Sequence, residues 1–162
     1  MTRRKSLAKA FAKGFLKTLG VLALTPLAAQ AQSVGDCGGW QTDARNIAEP
    51  WEENTATFAN GAVRVAVLDT IEPGAVPFHI LVLSPPYDEL GARSCALVSA
   101  SADGIGFPLM TLRGVQAAYD PAKGLVLTIE TAVWSEDMSE TVPVQLRVGI
   151  NQQTGVVTAG FE

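Results

Sequence analysis

Imidazole and thiol are nearly missing from this chain: it holds one histidine and two cysteines in 162 residues, and its aromatic content is 7%. With His79 as the only histidine, a histidine-rich zinc, copper or iron site is excluded, and a Ser-His-Asp arrangement has a single available base. No serine stands in G-x-S-x-G, and H-E-x-x-H, a Gly-rich phosphate loop and calcium-loop spacing are all absent. Cys37 and Cys95 lie far apart, without the C-x-x-C spacing of redox or zinc pairs. Charge is also unevenly placed along the chain. No acidic residue precedes Asp36, and no run of basic residues follows Lys17.

That asymmetry reads as an export signal. Arg3, Arg4, Lys5, Lys9, Lys13 and Lys17 form a basic opening, Leu19 to Ala29 an apolar core too short to span a bilayer, and Ala29-Gln30-Ala31 a small-residue cleavage site before Gln32. Thr2-Arg3-Arg4 with Leu7 resembles a twin-arginine signal, but Ser6 stands where that pattern usually has Phe, so the twin-arginine and general secretory routes both stay open. No Cys stands directly after the cleavage point, so no lipid anchor is expected there. Residues 1–31 are therefore expected to be removed and residues 32–162 to be a single periplasmic domain. That domain has six basic against sixteen acidic residues, a net charge of about −10, and offers no face for DNA, RNA or anionic lipid. In an exported chain Cys37 and Cys95 are expected to form one structural disulfide that holds a loose N-terminal segment.

What the chain does contain is strand periodicity. In Gly124 to Trp134, Leu125, Leu127, Ile129 and Val133 alternate with Val126, Thr128, Glu130, Ala132 and Trp134. In the next segment Val142, Val144, Leu146, Val148 and Ile150 alternate with polar or small residues, and Val157, Ala159 and Phe161 follow a turn at Asn151 to Gly155. Asn60-Gly61 predicts a two-residue type I′ hairpin that pairs Ala59 with Ala62, Phe58 with Val63, Thr57 with Arg64 and Ala56 with Val65. Phe78 to Leu83 and the stretch around Cys95 to Ala100 read as strands, and Phe107 to Leu112 and Val115 to Tyr119 as weaker ones, with Pro108 making its segment an edge strand or one that pairs only after it. Pairing Tyr119 with Leu125 and Ala117 with Leu127 places Tyr119 on the inward face. Thr42 is expected to cap a short helical turn that Pro50 ends. The result is an all-β antiparallel meander of eight or nine strands, an up-and-down barrel or a two-sheet sandwich, the barrel favoured because it leaves no bare edge.

With no catalytic set or cofactor site legible, the leading expectation is a non-enzymatic periplasmic accessory or binding protein that presents a rigid sheet to a protein partner. Val126, Ala132 and Trp134, apolar on the face that should be wet, are its candidate interface. An alternative is a carrier of a small apolar ligand held in the barrel mouth, with Trp40, Ile47 and Trp51 as the lid. A carboxylate-based enzyme is the third class; Glu130 could join a facing acid, yet nothing raises one pair above another. The clusters Asp88/Glu89 and Glu136/Asp137/Glu140 sit in loops, where solvation accounts for them without calcium.

Overall fold

The longest alternating runs make long strands. In the computed structural model, which describes residues 32–162, these are β7 (Gly124–Trp134) and β8 (Thr141–Ile150), paired antiparallel along their full length and joined by β9 (Val157–Phe161) on one side and β6 (Gln116–Asp120) on the other. The expected export signal, residues 1–31, lies outside the described residues. A second antiparallel sheet holds β1 (Ser33–Gly35), β2 (Thr55–Phe58), β3 (Val63–Asp69), β4 (Phe78–Tyr87) and β5 (Arg93–Ser99), in the order β1-β5-β4-β3-β2. The chain is mostly β, with two antiparallel sheets and little helix. No ladder joins the sheets, and no closed barrel is found among the described residues.

Both sheets contribute to one core. Val63, Val65, Ile80, Val82 and Val98 from the five-stranded sheet share it with Leu125, Leu127, Ile129, Leu146 and Ile150 from the other, and Phe58, Phe78 and Phe161 pack against it. Each fully buried Leu or Ile contributes roughly 1.5 to 3 kcal/mol by leaving water. Most of the expected inward residues lie in or against this core; Val133 and Val144 are only half-buried and stand outside it, and Ala117, Tyr119 and Val142 are exposed. Tyr119 pairs with Leu125 as expected but is exposed, because β6 is a sheet edge whose residues from Gln116 to Tyr119 all face water. Val142 is exposed as well, since β9 pairs only with Leu146 to Ile150 and leaves the start of β8 unflanked on that side. Pro143 is tolerated there because no neighbouring strand needs its missing N–H.

Phe107 to Leu112 is not a strand. It makes isolated bridges to each sheet, Phe78 with Phe107 and Met110 with Thr131, and the Thr131 hydroxyl donates to the Leu109 carbonyl at 2.6 Å. Pro108 cannot donate to a ladder, so the segment buries Phe107, Met110 and Leu112 without extending a sheet. The Phe107 ring meets Phe161 edge-on, with centroids 6.2 Å apart.

The start of the described chain crosses the outer face of the five-stranded sheet. β1, which the sequence pattern did not mark, pairs with β5, the Ala48 N–H donates to the Val67 carbonyl at 2.9 Å, and Ile47 bridges Leu68. The segment is therefore held by backbone pairing as well as by the Cys37–Cys95 disulfide, whose Cα atoms are 5.8 Å apart. Its helix is placed differently from expectation: Pro50 precedes a single α-turn, α1 (Trp51–Asn54), instead of ending one, and Asp43 rather than Thr42 caps the turn at Ala44–Asn46. The Thr42 hydroxyl is taken by the Cys37 carbonyl at 2.7 Å.

The Asn60-Gly61 hairpin keeps its expected register from Phe58–Val63 to Ala56–Val65, but the ladder stops at Phe58. Ala59 joins Asn60 and Gly61 at positive φ, 51°, and Ala62 is in the right-handed helical region, so only the Ala62 N–H to Ala59 carbonyl bond closes the turn. The left-handed region costs an L-residue roughly 1 to 2 kcal/mol, of which glycine's extra unfolded-state entropy returns part. Ala59→Gly is therefore expected to stabilise the protein by about 1 kcal/mol, read as a higher urea midpoint; an unchanged or lower midpoint contradicts this turn geometry. For the disulfide, which closes a sequence separation of 58 residues, Cys37→Ser or Cys95→Ser is expected to cost about 2 to 4 kcal/mol in chemical denaturation while the far-ultraviolet spectrum stays β.

Candidate functional site: a groove on the five-stranded sheet

Two strands of the five-stranded sheet carry unbroken apolar runs, Val65-Ala66-Val67-Leu68 and Ile80-Leu81-Val82-Leu83, so apolar side chains leave both faces. On the outer face, Ala66 and Leu68, the latter bridged to Ile47 of the N-terminal segment, are buried, whereas Leu81 and Leu83 are only half-buried. There a groove of about 570 Å³ lies open, with Ala66, Leu81 and Leu83 in its lining, Thr55 and Thr57 of β2 along one side, and Ile47 and Arg64 completing it. The volume is within the range of small-molecule and short-peptide sites, and apolar lining with a few polar groups is their usual composition.

Arg64 is the one ionisable residue of that lining. Its register partners are Thr57 and Leu83, neither of which is charged. Other cations are committed: Arg45 to Asp43 at 2.7 Å, Arg113 to Glu53 at 2.5 Å and Arg147 to Glu162. Arg93 donates to the Ala62 carbonyl at 3.3 Å and lies over the Tyr87 ring, 5.4 Å from its centroid. Among the described residues, Arg64 and Lys123 make no ion pair.

The sequence-predicted residues are distributed around this geometry unevenly. Of the expected lid, Ile47 lines the groove, while Trp40 and Trp51 are 61% and 55% exposed and line none of it. Of the expected outward patch, Val126 and Ala132 are 5% and 2% exposed and offer no free surface. Residues distant in sequence are the reason: Lys123, Arg147 and Thr158 line the hollow around Val126 together, and Ala132, with a one-carbon side chain, sits between Pro143 and the segment bridged to Thr131. Trp134 is half-buried, its indole N–H donating to the Ala75 carbonyl at 3.1 Å. The groove floor itself, Ala66, Leu81 and Leu83, went unmarked; the sign that could have revealed it is the loss of alternation in those two runs.

The acidic clusters are used locally. Asp88 Oδ1 accepts the Leu90 and Ala92 N–H groups, and Asp137 Oδ1 accepts the Ser135 and Ser139 hydroxyls. Hydrogen bonds from Ser135 and then Ser139 hold the Asp137 carboxyl down at about 2. Among the described residues no three His, Cys, Asp or Glu side chains come together as a metal site, and no helix is long and apolar enough to cross a membrane. No protein-family model, no curated protein and no solved structure matches the chain.

His79 is 1% exposed, with Nδ1 2.9 Å from the Ser99 hydroxyl and its other ring edge beneath Gly106, where a Cβ would stand 3.0 Å from Nε2. Its ring is closed off from solvent. Burial lowers its pKa below the ordinary value, because the imidazolium would lose its hydration. The stability it brings is thus complete above the unfolded value of about 6.5 and is lost as pH falls from there toward the depressed folded value. The urea midpoint is expected to drop between about pH 7 and pH 5.5, with a shallower drop in His79→Gln; parallel slopes for the two proteins would contradict it.

Proposed function

We propose that this chain is a non-enzymatic, exported binding protein in which the two sheets pack face to face as a sandwich and offer the outer groove to an apolar segment of a protein partner. The observation that carries this reading is the half-exposed shelf of Leu81 and Leu83 beside the buried Leu68. An apolar shelf of adjoining side chains left in water beside a groove is a contact surface without its contact. The bonded pair Cys37–Cys95 agrees with an oxidising compartment outside the cytoplasm.

A small apolar ligand is the second reading, supported by the groove's volume. It would lie on the outside of the sheet, since the space between the sheets is filled by side chains such as Leu127, Ile129, Leu146 and Phe107, all fully buried. The open form of the groove favours the protein partner, whose surface can continue past the groove and exclude water that a small molecule would leave in place.

Leu83→Asp tests the proposal by placing a carboxylate on the floor. It is expected to weaken partner capture at least about tenfold, since an apolar contact cannot compensate the desolvated charge. Val142→Asp, at an exposed position on β8, is the control and is expected to capture normally. Equal capture by wild type and Leu83→Asp in quantitative cross-linking from periplasm would overturn the assignment, as would the absence of any captured partner.

A further inference from the structure

The charge at the groove narrows the occupant, given the reading of the groove as a protein-binding site. The domain carries sixteen acidic and six basic residues, yet no carboxylate lines this groove and one guanidinium does. Arg64 is exposed and makes no ion pair among the described residues. It stands one pair from the end of the β2–β3 ladder, beside the hairpin turn. Arg93, which donates to the carbonyls of that same turn, adds a second positive charge at this end of the sheet. The opposite direction along β3 runs to Leu68, fully buried and bridged to Ile47. The groove is therefore apolar along its floor and positive at one end.

An occupant complementary to this has an apolar body and one terminal anion. A peptide's α-carboxylate is the anion that an apolar segment carries without adding a polar side chain, and a guanidinium can receive it through two parallel N–H···O bonds. We infer that the groove binds the carboxyl terminus of an extended apolar peptide, its α-carboxylate on Arg64 and its last apolar side chains over Leu81 and Leu83. Capture of a chain terminus in this way is a recurrent recognition mode, in which the apolar contacts give affinity and the charge fixes register.

The test uses the oxidised, exported protein and a short valine- and leucine-rich peptide labelled at its amino end, in two forms: free acid and carboxamide. Fluorescence anisotropy is expected to give at least about tenfold tighter binding of the acid, a preference that fades with added salt. Arg64→Gln is expected to bring the acid down to the affinity of the amide and to leave the amide unchanged; an unaltered urea midpoint shows that this exposed substitution has not unfolded the protein. If acid and amide bind equally and both are lost in Leu83→Asp, the carboxylate inference falls while the groove stands as a protein-binding site. If neither form binds, the reading of the groove falls with it. A saturated long-chain fatty carboxylate is the third probe, and its binding more tightly than the peptide acid would overturn the peptide in favour of an amphiphile.

Discussion

Neither sheet can stand in water alone, and the burial of each against the other is the constraint on which the rest of the molecule depends. Leu127, Ile129, Leu146 and Ile150 on one side and Val63, Val67, Ile80 and Val82 on the other are wholly removed from solvent. Because the sheets share no ladder, the connecting segment has to pass from one to the other, and Phe107 does so by bonding to the Phe78 backbone while its ring meets Phe161. A segment with that task has little freedom to be a strand of either sheet. The filled interior also dictates where recognition can occur: binding has to use an outer face, an edge or a loop.

Hairpin registers were legible in the sequence because they are local. Asn60-Gly61 and the Tyr119 to Gly124 turn each set a pairing within a few residues, and the alternation of β7 and β8 fixed which side faced inward. The disulfide was legible from count and compartment alone. What escaped depends on distant partners. β1 is three residues long and owes its strand form to β5; nothing in Ser33-Val-Gly35 requires it. The wet or dry state of an outward face is equally non-local. Val126 and Ala132 occupy the face that alternation assigned them, but neighbouring strands and the Met110 segment cover them, a matter of tertiary neighbours and not of period.

The groove escaped for a related reason. Alternation is the signature of a half-buried sheet, and the consecutive apolar residues of β3 and β4 have apolar members on the outward side as well as the inward one. Their outward members imply a second covering layer. The N-terminal segment meets the sheet at Leu68, which Ile47 bridges, and Asn46 fastens the segment's turns by donating to the Trp40 and Gln41 carbonyls at 2.9 and 3.1 Å.

The cover stops short, and the disulfide marks where. Cys95 is the register partner of Leu83, so the bond that pins the N-terminal segment to the sheet stands beside the floor of the groove. The cross-link accordingly has two consequences that a purely entropic view would merge. It lowers the freedom of the unfolded chain, and in the folded state it fixes the position of the segment whose Ile47 lines the groove. Backbone pairing at β1 and at Ala48 holds the same segment from either side of Cys37. Reduction alone therefore leaves the segment on the sheet but removes the anchor adjoining Leu83, which makes the shape of the groove more sensitive to the bond than the fold is.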